Sequence, residues 1–331
     1  MAYEAPALRG LAARFAALEP ADQVLLLSDS FALAQAGQLP MASWLDLLAA
    51  LPGVQGPARA TLFTMAGAAL DRLDQAVVGT PAQPPLRAAG RALFAPELAR
   101  IGWAARPQQE PQQEPQLDKL RGTLIARLAQ WDDADTIAQA LQRFAQDEAG
   151  QEPLAPSIRA AVIEAAGTHA DRARFDQLLL RLKNATSEED RWLYASALAS
   201  GRDAGRAREL LAASLAGIAP PNIAAAIPGM VGERTPLGAV AYDFTLANWG
   251  RLAELAGGNW GGAAWLLPNA ASRFTDRARA ARLVADQQRK AGRDGAVPAA
   301  RIGAAIELLA AVREREARSL GKALAAWRPG S

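Results

Sequence analysis

From end to end this chain reads as short segments separated by turns that proline or glycine marks, and the stretch PADQVLLLSDSFALAQAGQLP shows the pattern most completely. Pro20 and Asp22 stand in an opening helical turn, where a missing N–H is harmless and a carboxylate favours the positive end of the helix dipole. Val24, Leu27, Phe31 and Ala34 then recur every three or four residues. Leu25, Leu26 and Leu33 widen that face until one buried helix is expected. Gly37 suits a left-handed cap, with Pro40 just beyond it. Asp29 and Ser30 fall inside the apolar run, where an unpaired polar group is costly. Both are therefore expected to be hydrogen-bonded and to tie this helix to its neighbours.

The same signals place helices at about 6–17, 21–36, 41–51, 57–77, 83–103, 117–130, 133–149, 156–168, 171–183, 187–200 and 203–216. Further helices are expected at about 221–230, 234–247, 248–256, 262–270, 275–291 and 298–326. Alanine and leucine dominate while valine and isoleucine are sparse, which favours helix over sheet. At 331 residues the chain exceeds the roughly 250–300 that one core holds. About forty residues per helix pair matches HEAT and armadillo arrays, although no sequence repeat is visible. The expected fold is all-α, a HEAT/armadillo-like α-α superhelix (solenoid) of about 16–17 helices. It is read as a single solenoid domain over 1–331, with a Pro/Gln/Glu-rich surface loop at 105–116 where PQQEPQQEP forbids a helix. A second irregular zone gathers glycines around Trp260 and Trp265; with no preceding strand it suits a tight interhelical turn rather than a phosphate loop.

Several function classes are excluded by composition. Formal charge is +2, with 36 basic and 34 acidic residues, and arginines alternate with acids along most segments. That is a pattern of solvated helix faces, not of a nucleic-acid stripe. No cysteine is present, so neither a disulfide nor a thiolate site is possible. No 18-residue apolar run appears, and MAYEAPALRG lacks the charged start and apolar core of a signal peptide. A soluble chain with no membrane partner is expected, with the cytoplasm as its expected compartment; if it is a piece of a longer protein, the missing signal says nothing about where the parent is sent.

Candidate chemistry is thin. The one histidine, His169, falls at a helix end and suits a C-terminal cap better than a metal ligand. Asp132, Asp133 and Asp135 suggest either a cation site or N-capping at an interhelical turn, and capping is preferred. Ser187 with Glu188, Glu189 and Asp190 heads a helix as a capping box. Ser30 has no histidine beside it and no strand-turn-helix elbow, so it is no nucleophile. Tyr242, Asp243, Asn248 and Trp249 form a polar-aromatic knot that either fixes a helix corner or faces a substrate cavity. No catalytic or metal-binding residue is assigned, and substrate-binding residues are left open.

The pattern DQ-x-x-L-L-x-D-S-F-A-L-A-x-A-G-x-L-P also resembles the first helices of the C-terminal helical domain of zinc aminopeptidases of the aminopeptidase N, puromycin-sensitive and endoplasmic-reticulum aminopeptidase family. The resemblance continues in order through IGW at 101–103, LDKLRGTLIARLAQWDD at 117–133, IRAAVIEAAGTHADRARFDQLLLRL at 158–182 and SEEDRWLYASALASGRD at 187–203. VAYDFTLANWGRLAEL at 240–255 and RIGAAIELLAAVREREARSLGKALAAW at 301–327 complete it. Specificity lies in the collinear order, since each block alone is degenerate.

The resemblance implies a bowl-like superhelix that closes over a thermolysin-like catalytic domain and meets the distal part of peptide substrates. It also implies zinc in that catalytic domain. This chain lacks the family's H-E-x-x-H and its Gly-Ala-Met-Glu-Asn segment, so no zinc or other cofactor is expected here. Arg191, Arg202, Arg234 and Arg251 are candidates for holding a peptide carboxylate, although surface or capping roles suit each better. Expected partners are the parent's catalytic domain and a peptide, with possible self-association of an isolated fragment. An independent helical-repeat scaffold is the alternative. An excess of arginine over lysine, 32 to 4, with many alanines suggests a bacterial, GC-rich source.

Overall fold

A computed structural model describes residues 5–104, 114–257 and 262–330. The described residues form seventeen α-helices and no strand, so the chain is all-α as expected. None of these helices is long and apolar enough to cross a membrane.

The chain packs as two compact units, residues 1–161 with 311–331, and residues 162–310. The first holds α1 (Ala5–Ala12), α2 (Pro20–Gln35), α3 (Met41–Ala50), α4 (Ala58–Ala76), α5 (Gln83–Ile101), α6 (Glu114–Gln130) and α7 (Ala134–Glu148). Here α2 packs on α3 and α4, and α4 on α5 and α6. Contact with both the next helix and the next but one is how stacked helix pairs bury apolar faces that no pair buries alone. Aromatic rings fill the seam. Phe94 lies 5.8 Å from Phe63 and 5.3 Å from Trp131, centroid to centroid. Gly90 of α5 makes room for Trp131, since a Cβ there would fall 2.6 Å from the indole.

The second unit takes in the later residues of α8 (Pro156–Thr168) and holds α9 (Arg172–Asn184), α10 (Glu188–Ala199), α11 (Ala204–Leu215), α12 (Pro221–Arg234), α13 (Gly238–Ala247), α14 (Trp249–Leu255), α15 (Leu266–Ala271) and α16 (Arg277–Ala291). It centres on α12, which touches α10, α11, α13, α14 and α15. The last helix, α17 (Ala296–Ala326), has its first residues in this unit and its later ones in the first.

Several expectations need correction. The first helix stops at Ala12, and Phe15–Ala17 form a separate 3-10 turn. α2 is not buried all round, because Leu25 is 54% exposed. Its Ser30 hydroxyl donates to Leu26 and Leu27 carbonyls of its own helix and ties nothing to a neighbour. Asp29 is only half-buried, which removes the need for a protein partner. Gln23 makes the real tie, donating to the Phe15 carbonyl at 3.0 Å. Gly37 does take the left-handed conformation, with φ of 76°.

Further on, α6 starts at Glu114, with Pro115 in the first turn where its missing N–H is tolerated. The rest of PQQEPQQEP, and Trp260 with its adjoining glycines, lie outside the described residues. The expected helix at 262–270 is a 3-10 turn, Gly262–Trp265, followed by α15. α12 runs past the expected stop at 230 to Arg234. Its glycines are contacts and not breakers: a Cβ on Gly229 would fall 2.9 Å from Asn269, and one on Gly232 2.3 Å from the Ala270 carbonyl.

Candidate functional site

Two helices of the second unit frame a polar site. On α13, Asp243, Leu246 and Ala247 share one face at helical spacing; on α16, Arg282, Ala285, Asp286, Arg289 and Lys290 do the same. Between them runs an open groove of about 540 Å³. Its centre is Asp286, which is 3% exposed. A carboxylate so enclosed needs donors on every side. Tyr242 donates its hydroxyl at 2.9 Å, Arg282 its Nε at 3.3 Å, and Arg289 its Nη2 to the other oxygen. Arg282 also pairs with Asp243 at 3.4 Å.

One buried carboxylate thus fixes two guanidinium groups that remain 58% and 71% exposed. The Tyr242 ring lies under Arg282 and 5.5 Å from Phe274. Burial, reinforced by the hydrogen bond and charge of Asp286, drives the Tyr242 phenol well above its usual range, so it stays a donor. With three cations and two carboxylates the lining carries one excess positive charge, beside the apolar side chains of Leu246, Ala247 and Ala285. Such a surface suits an anion attached to an apolar body. A family model, the ERAP1-like C-terminal domain, matches residues 1–296 and so includes both helices of the groove.

This chain belongs to the ERAP1-like C-terminal domain family. No curated protein matches it.

Within this ERAP1-like domain the residues singled out in the sequence separate. Tyr242 and Asp243 join the groove, whereas Asn248 and Trp249 do not. Asn248 donates Nδ2 to the Phe244 carbonyl at 2.9 Å, and Trp249 packs on Ala225, Leu252 and Leu266, which makes the corner between α13 and α14. Asp133 is the N-cap of α7, accepting from the Thr136 amide at 3.0 Å, and Asp135 stands in the first turn. Asp132 pairs with Arg87 at 2.9 Å and takes a left-handed φ of 63° at the turn. Ser187 caps α10 by accepting from the Asp190 amide at 3.0 Å. His169 sits just past the end of α8, its amide bonded to the Ala165 carbonyl.

Of the four arginines proposed for a carboxylate, none lines the groove. Arg191 caps α9 through the Ala185 carbonyl at 2.9 Å, Arg234 pairs with Glu164 at 3.0 Å, and Arg251 pairs with Glu254 at 3.1 Å. Arg282 and Arg289 were missed. The signal was present as arginine four residues before and three after Asp286, one helical face of alternating charge. Only the fold brings Tyr242 to complete it.

Proposed function

We propose that this chain is the non-catalytic C-terminal domain of a zinc metalloaminopeptidase, which closes over the active-site chamber and meets the distal part of the peptide. The match of the ERAP1-like C-terminal domain model across residues 1–296 carries this proposal. The chain has one histidine, and among the described residues no group of three His, Asp or Glu side chains is placed to hold a metal. These residues do not fit a catalytic zinc, which the proposal assigns to a separate catalytic region. The groove between α13 and α16 supplies the peptide contact: Arg289 and Lys290 take the carboxylate end while Leu246, Ala247 and Ala285 take an apolar side chain.

Calorimetric titration with one peptide in free-acid and amidated forms tests the contact. The free acid is expected to bind more tightly, and Arg289→Ala to remove that preference. Equal binding of the two forms, or an unchanged preference in the variant, overturns the groove assignment. Mixing the chain with the aminopeptidase catalytic region of the same organism tests the wider proposal. Turnover of peptides is expected to rise while turnover of a single-residue arylamide stays level. No association with that region favours an independent helical scaffold.

A further inference from the structure

The chain after residue 296 lies beyond the family match. Within the first unit, several of its last residues donate to helix carbonyls, most of them at helix ends. A helix leaves its final carbonyls without donors from its own later residues. Arg315 donates Nη2 to the carbonyl of Gln35, the last residue of α2. The Gly330 amide reaches the Ala49 carbonyl near the end of α3 at 2.7 Å, and the Trp327 indole adds a second bond to that helix at the Leu45 carbonyl, midway along it, at 2.8 Å. Arg313 donates Nη1 to the carbonyls of Ala76 and Val78, where α4 ends, at 3.1 and 2.7 Å. Two of these donors are cations set on the negative ends of helix dipoles. Gly37 is fitted to the arrangement, because a Cβ there would fall 3.2 Å from the Arg315 guanidinium.

The apolar part of the attachment is narrow. From 311 to 330 only Val312, Leu320 and Leu324 are buried, whereas α4 and α5 bury long apolar faces against their neighbours. A segment held by a few caps and three buried side chains opens at lower free energy than the core it covers.

We propose that residues 311–330 form a clasp that docks on the C-terminal ends of α2, α3 and α4 as one piece and opens as one piece, without unfolding α4–α6. Hydrogen exchange read by mass spectrometry on the full chain tests this. Amides of 312–326 are expected to exchange together and faster than the interior of α4–α6. Arg313→Ala removes a charged donor from two carbonyls and is expected to speed that segment by roughly tenfold or more. The interior of α4–α6 and of α9–α13 should keep its rate, and Arg313→Lys should restore part of the protection. Should Arg313→Ala fail to fold, Trp327→Phe, which keeps an aromatic ring and loses the indole donor, is judged on the same readout. Equal acceleration of 312–326 and α4–α6 would make the segment part of the core, and no acceleration anywhere would mean that the caps hold nothing; either overturns the clasp.

Discussion

Glu97 shows what a single residue decides in this fold. It is 2% exposed on α5, yet it accepts from Arg59 at 2.6 Å and from Arg100 at 2.7 Å. Burial alone would raise its pKa, but the hydrogen bonds from Arg100 and Arg59 outweigh it and hold the carboxyl below its ordinary 4.5. Arg59 is itself anchored, donating to the Pro52 carbonyl at 3.0 Å. Glu97→Gln is therefore expected to destabilise the chain by about 3 kcal/mol at neutral pH, since it strips the charge from a buried pair. Because the folded pKa is depressed, the stabilisation is complete above the unfolded value and is lost as pH falls through the folded one. Urea melts of both proteins should show a gap that is constant near neutrality and narrows below about pH 4.5. Arg100, three residues on, was legible as a partner in the sequence. Arg59, a whole helix earlier, was not.

Helix contacts in this chain turn on glycine. In the second unit a Cβ on Gly167 of α8 would fall 2.0 Å from the backbone carbonyl of Ala197 on α10, and backbone cannot swing aside as a side chain can. Gly250 of α14 has open space around its Cβ position and an ordinary φ. The two therefore make a matched test. Gly167→Ala is expected to cost about 3 kcal/mol through forced separation of the helices, whereas Gly250→Ala should gain up to about 1 kcal/mol by reducing the freedom of the unfolded chain. Chemical denaturation midpoints check both; similar effects would show that α8 and α10 do not depend on close backbone approach. Element positions themselves were readable to within a few residues, because caps, prolines and the 3.6 period are local signals. The misplaced end of α12 has the same cause in reverse: Gly229 and Gly232 look like stop signals until Asn269 and Ala270 are packed against them.

For the molecule as a whole, the absence of H-E-x-x-H sets the expected biochemistry. The purified chain should carry less than stoichiometric zinc by metal analysis and release no amino acid from aminoacyl-arylamides by absorbance. Tightly bound stoichiometric zinc together with activity would move the catalytic centre into this chain. By itself the sequence determined the all-α class, the succession of helices and the capping roles of Asp133 and Ser187, since each depends on residues within a turn or two of one another. Tertiary structure alone decided that Asp286 meets Tyr242, that Glu97 meets Arg59, and that the donors of 313–330 close helices formed some 240 to 280 residues earlier. A side chain's distant partner is chosen by which helices stack on which, and stacking depends on complementary surfaces that leave no period or spacing in a single sequence.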